Sequence, residues 1–225
     1  MEPVLMYYRL FELFRAIDNG VIRVPSFQRH FLWDAANILD LVKSVYNGFP
    51  IGVIIFFESG ENIFDTADPS VTNFPAVENL ETRHNYPINY VIDGLQRLSS
   101  LYNCFHWKAL EQASKFNIIF DIEKEELLQY SSYSSPGKYI HLSSIFSSEM
   151  FIDSQIKLMS YNNSEKILNI ASELHSRFQE YTIPVMKITG TDTKDVVTVF
   201  ERLNSSGVSL TEAEILRARS ELEKD

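Results

Sequence analysis

The run Ile92-Asp93-Gly94-Leu95-Gln96-Arg97-Leu98 carries the densest chemistry in the sequence. The apolar residues Ile88 to Ile92 predict a buried strand, and Leu95, Leu98, Leu101, Tyr102 and Phe105 predict a helix with one apolar side. A strand that delivers an Asp-Gly turn to a helix start exposes free backbone N–H groups and the positive end of the helix dipole, which together form a natural anion site. Gly94 permits close approach of a phosphate, and Arg97 falls in the first helical turn, within reach of the same anion. Asp93 supplies a carboxylate able to hold a divalent cation between phosphate oxygens. The same residues also describe a ligand-free helix start, with Asp93 as N-cap and Gln96 completing a capping box.

Two further segments place polar groups among aromatic anchors. In Val24-Pro25-Ser26-Phe27-Gln28-Arg29-His30-Phe31-Leu32-Trp33, an extended Pro-led stretch holds Gln28 and Arg29 between Phe27 on one side and Phe31 and Trp33 on the other. Such a mount suits a base-reading amide and a phosphate-binding Arg; equally, the aromatics belong to a core and Arg29 is a solvated or ion-paired surface residue. The segment Phe200 to Leu210 joins two helices through an Asn204-to-Gly207 turn, with Thr211 and Glu214 forming a capping box beyond it. Arg202 and Asn204 could close over a ligand held by the first two segments, or could simply belong to an interhelical turn.

Composition narrows the classes of function. The 225 residues are 45% hydrophobic, which excludes a wholly disordered chain and allows one ordinary domain. With 20 Lys and Arg against 30 Asp and Glu, the net charge of −10 argues against a general nucleic-acid coat but permits a local basic pocket. Cys104 is the single cysteine, so there is no internal disulfide or multi-cysteine zinc site, and its place near the apolar stripe of its helix predicts a packing role. The five histidines form no metal-ligand spacing, and no P-loop, nucleophile elbow or dinucleotide fingerprint occurs. No apolar stretch is long enough to cross a bilayer, and the N-terminus lacks a basic-then-apolar leader, so a cytoplasmic location is expected.

The elements that must position these residues follow from periodicity. Tyr7, Leu10, Phe11, Phe14 and Ile17 predict a first helix ending near Asn19-Gly20, followed by a short extended piece, Val21 to Val24. Asp34 is placed to cap a helix with the stripe Ile38, Leu41, Val42, Val45 and Tyr46. Strands are predicted over Ile51–Phe57, Ile88–Ile92, Phe116–Ile122 and Ile183–Ile188, with helix over 150–180, 193–203 and 211–224. Asp121 and Glu123 to Glu126 predict a solvated turn and helix start, and Ser131 to Gly137 a loop. The stretch 61–92 holds only Arg83 against five acidic residues, together with three prolines, and predicts an acidic surface insertion over about 59–87. Strands separated by helices imply an α/β (α+β) fold: a small mixed sheet with flanking helices and a mostly helical C-terminal half. The whole is read as one domain, its core about 10–125 and 181–216, with a helical segment about 145–180.

In their order, these segments resemble the N-terminal domain of GmrSD-type, modification-dependent restriction systems, a domain considered related to the ParB/sulfiredoxin fold. Its Pro-x-aromatic-Gln-Arg-x-aromatic-x-Trp opening is matched from Pro25 to Trp33, and its aromatic-Pro-Ile-Gly strand by Phe49 to Gly52. Its Ile-Asp-Gly-Gln-Gln-Arg-Leu centre is matched from Ile92 to Leu98, and its Phe-x-x-Leu-Asn-x-x-Gly-x-x-Leu close from Phe200 to Leu210. The resemblance implies a domain that binds a nucleoside triphosphate with Mg²⁺ and couples recognition of foreign or modified DNA to a nuclease domain or subunit. It casts Asp93, Gln96 and Arg97 as catalytic residues, with Asp93 also as the Mg²⁺ ligand, and Gln28, Arg29, Gly94, Arg202 and Asn204 as nucleotide-binding residues. DNA contact would run through a local basic site. Leu95 stands where the family has its first Gln, which leaves hydrolysis open. Also open are a non-hydrolysing nucleotide- or modified-DNA-binding module and a protein-interaction scaffold. Nothing of the His-Asn-His nuclease type appears before Asp225, so the nuclease is expected in another domain or partner.

Overall fold

Two adjacent strands are apolar on both faces, and this fixes the layering. Along β3 (Ile54–Ser59), Ile54 and Phe56 face one core while Ile55 and Phe57 face another. In β4 (Ile88–Asp93), Val91 faces the first core and Ile88, Tyr90 and Ile92 the second. The computed structural model describes residues 2–75, 87–106, 114–132, 137–189, 196, 198–200 and 202–203. It contains β1 (Glu2–Arg9), α1 (Leu10–Asp18), β2 (Ile22–Arg23), α2 (Ala35–Tyr46), β3, α3 (Pro69–Thr72), β4 and α4 (Leu95–Phe105). There follow β5 (Ile118–Asp121), β6 (Glu126–Gln129), β7 (Tyr139–His141), α5 (Ser148–Met159), α6 (Ser164–Glu180) and β8 (Thr182–Thr189). The architecture is mixed α/β of the α+β kind.

The main sheet runs β1-β8-β3-β4-β2, with β3–β8 and β2–β4 parallel and the other pairs antiparallel. The larger core lies between this sheet, α1, α2, α4 and α6, and a second, antiparallel sheet ordered β6-β5-β7. Ring contacts knit it together: Phe105 lies 4.7 Å from Phe178 and 5.4 Å from Phe146. Cys104 is buried in this core, and burial pushes its thiol pKa well above the ordinary range, so it packs and does not react.

Four expectations need correction. Tyr7 does not begin a helix; it lies in β1, two-thirds exposed, because residues 2–9 pair with Thr182–Thr189 along their whole length. Residues 123–126 lead into β6, not a helix, and β7 also forms, so the Phe116–Ile122 region founds the second sheet and does not join the first. Residues 61–75 are not simply a solvated insertion: Phe64, Ala67 and Phe74 are buried, and Thr66 bridges to Pro25. The Ser26 and Phe31 N–H groups donate to the Asp65 and Val71 carbonyls, while the buried Tyr90 hydroxyl donates to Asn62 Oδ1 at 2.7 Å. That stretch is therefore the bed on which the Pro25–Trp33 segment rests. The fourth correction, at the start of α4, belongs to the site itself. The predicted 211–224 helix lies outside the described residues; of the 193–203 helix, residues 196, 198–200 and 202–203 are described and helical.

Two histidines give the fold a pH dependence. Burial lowers the pKa of His141 from its ordinary 6.5, helped by the Lys157 charge. Burial likewise lowers that of His175, which stacks on Phe151 at 4.5 Å. Protonating either ring costs more in the folded chain than in the unfolded one, so their contribution is full above about pH 6.5 and is lost as pH falls below it. The urea midpoint is expected to fall as pH drops from about 7 to about 5.5, and a His141→Gln/His175→Gln double variant should flatten that slope. An unchanged slope in the double variant would assign the effect to other groups.

Candidate functional site

The last residue of β4 and the first turn of α4 form the floor of a recess of about 190 Å³ lined by Gln28, Arg29, Trp33 and the run Ile92–Arg97. Gly94 is the N-cap of α4 at φ 94°, a left-handed conformation that disfavours any side chain, and no side chain caps the helix. The predicted capping box is thus not formed: Asp93 sits one residue before the cap, and Gln96 turns elsewhere. The α4 N-terminus opens into the recess without a side-chain cap.

Arg97 is held from two sides. Its Nη2 donates to Asp93 Oδ2 at 3.0 Å, and its Nη1 donates to the Ile51 carbonyl at 2.8 Å. The guanidinium lies so close to Gly52 that a Cβ there would meet Nη1 at 2.5 Å, and one on Gly94 would meet Nη2 at 3.3 Å. Gly52 also has φ 87°, so the glycine of the Phe-Pro-Ile-Gly stretch serves both its own backbone and the space that Arg97 needs. Two of the five guanidinium N–H groups are spent on these partners and three remain. Asp93 keeps one carboxylate oxygen without a hydrogen bond among the described residues.

The two glutamines tie the Pro25–Trp33 segment to this centre. Gln28, buried, donates its amide to the Val91 and Ile92 carbonyls at 2.8 and 3.1 Å. Gln96, also buried, accepts from the Leu32 and Trp33 N–H groups at 2.8 and 3.3 Å and donates to the His30 carbonyl at 3.1 Å. Gln28 is thus bonded to the backbone of β4, and Gln96 to the backbone of the Pro25–Trp33 segment. Between them, half-buried Arg29 lines the recess with no hydrogen bond or ion pair among the described residues.

Arg202 is exposed and does not line the recess, although Phe200, two residues earlier, packs on Phe27 at 5.0 Å and brings its helix alongside the Gln28-Arg29 mount. Asn204 lies outside the described residues. Leu95 is 4% exposed and packs in the larger core. Sequence reasoning did not single out Ile51 and Gly52 as site residues or Trp33 as a recess wall. The signal for Gly52 was a glycine at the mouth of a β-branched strand, where a side chain is ordinarily favoured.

Among the described residues no group of three or more His, Cys, Asp and Glu could cage a metal, and Asp93 is the recess's one carboxylate. That donor set fits Mg²⁺, which keeps several waters and takes one or two carboxylates plus phosphate oxygens. No helix among the described residues is long and apolar enough to cross a membrane.

The chain is 24% identical over 247 aligned positions to the uncharacterized protein MJ0686 of Methanocaldococcus jannaschii, an alignment that covers 93% of this chain and 41% of that one. The chain thus spans about two-fifths of the length of this relative. The family model for the GmrSD restriction endonuclease N-terminal domain matches residues 10–220, a span that takes in all four recognition segments. On that match, and with its strand-Asp-Gly-helix centre strapped to the Pro25–Trp33 segment, the chain belongs to the family of GmrSD restriction endonuclease N-terminal domains.

Proposed function

We propose that the recess binds the phosphate end of a nucleoside triphosphate with Mg²⁺, and that the domain acts as the nucleotide-responsive sensor of a modification-dependent DNA restriction system working with a nuclease domain or partner. The observation that carries this reading is the unpaired Arg29 guanidinium facing an uncapped α4 N-terminus in one recess. An anion there meets free N–H groups, a helix dipole and a full positive charge together. A recess of about 190 Å³ suits phosphoryl groups and leaves the base outside, along Trp33 and the exposed Leu32. Asp93 would be the protein's ligand to Mg²⁺, whose chemistry is to neutralise charge on the phosphates. Arg97, pinned between Asp93 and Ile51, would hold that carboxylate in place and offer its remaining N–H groups.

Replacing Arg29 with Ala is expected to weaken Mg–triphosphate binding, read by equilibrium dialysis, by about tenfold to a hundredfold, the worth of one charged hydrogen-bond pair. Its thermal melt should hardly move, because Arg29 supports no other group among the described residues. Arg97→Ala should lower both. Equal affinity in wild type and Arg29→Ala would remove Arg29 from the site.

A second reading is favoured by Leu95. Its side chain is packed in the core, so no amide is offered from that position. The domain would then bind a triphosphate or modified DNA without turnover. Phosphate release in the presence of Mg²⁺ separates the two: steady release supports hydrolysis, and saturable binding without release supports the sensor.

A further inference from the structure

We propose that the chain carries a second small-molecule site, between β7 and α5, whose ligand is a nucleoside monophosphate. A cavity of about 420 Å³ opens there, more than twice the volume of the recess at α4 and within the range of small-molecule sites. Its walls are Tyr139 and His141 from β7, Ser154 and Lys157 from α5, and Ser160 and Tyr161 just beyond that helix. None of these belongs to the four recognition segments, and the site stands independently of the triphosphate reading.

The donor set is specific. The exposed Lys157 ammonium has no ion pair or hydrogen bond among the described residues, and no carboxylate among them lines the cavity. Lys138 adds a second ammonium 5.1 Å from the Tyr161 ring, although Glu123 pairs with it at 2.7 Å. On a chain of net charge −10, an unpaired ammonium at a cavity edge is a place for an anion.

Three of the remaining polar side chains offer acceptors. His141 Nδ1 lies 2.9 Å from Asn117 Oδ1, so the ring N–H points there and Nε2 is left with its lone pair. Burial and the Lys157 charge keep that ring neutral. Ser154 and Ser160 donate their hydroxyl protons to the Met150 and Lys157 carbonyls, leaving oxygen lone pairs. Tyr139 and Tyr161 contribute ring surface, and Tyr139 is braced against His141 at 5.2 Å. One cation, several acceptors and aromatic walls match a ligand with an anion at one end and a flat ring bearing N–H donors at the other. A nucleobase joined through its ribose to one phosphate has that chemistry and that size.

Calorimetric titration of the four ribonucleoside 5′-monophosphates into the full chain tests this, with inorganic phosphate and cytidine as separate probes. At least one monophosphate should bind saturably. It should lose about tenfold in affinity in Lys157→Gln and again in Tyr161→Leu, surface changes that leave the fold intact, and should be unaffected by Arg29→Ala. Inorganic phosphate and cytidine should each bind at least tenfold more weakly than the monophosphate. No saturable binding, binding indifferent to both Lys157→Gln and Tyr161→Leu, loss in Arg29→Ala, or inorganic phosphate binding as well as the monophosphate would each overturn the proposal. Only loss in Arg29→Ala would return the ligand to the α4 recess.

Discussion

Replacing Gly52 with Ala is expected to destabilise the protein by about 3 kcal/mol, a large effect for one added methyl group. Two costs combine. The backbone at φ 87° is one that a side chain resists, and the new Cβ would sit 2.5 Å from Arg97 Nη1. Because Arg97 is held by Asp93 and the Ile51 carbonyl, it cannot retreat without giving up one of them. Urea denaturation of Gly52→Ala, Arg97→Ala and the double variant separates the terms. With the guanidinium gone only the backbone strain remains, so the double variant should be less destabilised than the sum of the single ones, by about 1–2 kcal/mol. Strict additivity would mean that Gly52 and Arg97 do not share this space.

Gln96→Leu is the second large effect, expected to cost about 3 kcal/mol and to weaken triphosphate binding, although the proposed ligand rests on Arg29 and the helix start. The change leaves the Leu32 and Trp33 N–H groups and the His30 carbonyl without the amide that now serves all three. Released from α4, the segment that mounts Arg29 loses one of its two glutamine ties to β4 and α4, Gln28 being the other. Gln96→Glu keeps the acceptor and loses the donor, so it should fall between Leu and wild type in urea midpoint. A Gln96→Leu protein as stable as wild type would show that these hydrogen bonds contribute nothing net.

The parts of the site legible in the sequence are those set by near neighbours. Ile88–Ile92 followed by Asp-Gly and a leucine stripe is a strand, a turn and a helix by local rules alone, and the structure has them at β4 and α4. Asp34 caps α2 as its type and position require, accepting from Asn37 N at 2.9 Å. What escaped depends on partners distant in sequence. A Gln three residues into a helix completes a local capping box unless a segment some sixty residues away offers it three backbone groups, as His30, Leu32 and Trp33 do. The need for space at Gly52 comes from Arg97, forty-five residues on. The strand β1 was hidden because Tyr7 fits the helical stripe of Leu10, Phe14 and Ile17, while its pairing with β8 spans almost the whole chain. The buried phenylalanines of 61–75 lay within a stretch whose acidity and prolines describe a surface loop, and only partners distant in sequence turn them inward, Phe27 and Tyr90 for Phe64 and Tyr102 for Phe74.

An anion bound at the start of α4 beside Arg29 is the centre of the proposed function. The most direct measurement is amide NMR of the ¹⁵N-labelled chain titrated with Mg–triphosphate, following the Leu95, Gln96 and Arg97 N–H resonances. Saturable shifts are expected at these three amides and at the Arg29 side-chain N–H, all with one affinity, and in Arg29→Ala the three amides should titrate together with an affinity about tenfold to a hundredfold weaker. Saturable binding that leaves those resonances unmoved, or no binding at all, would contradict it.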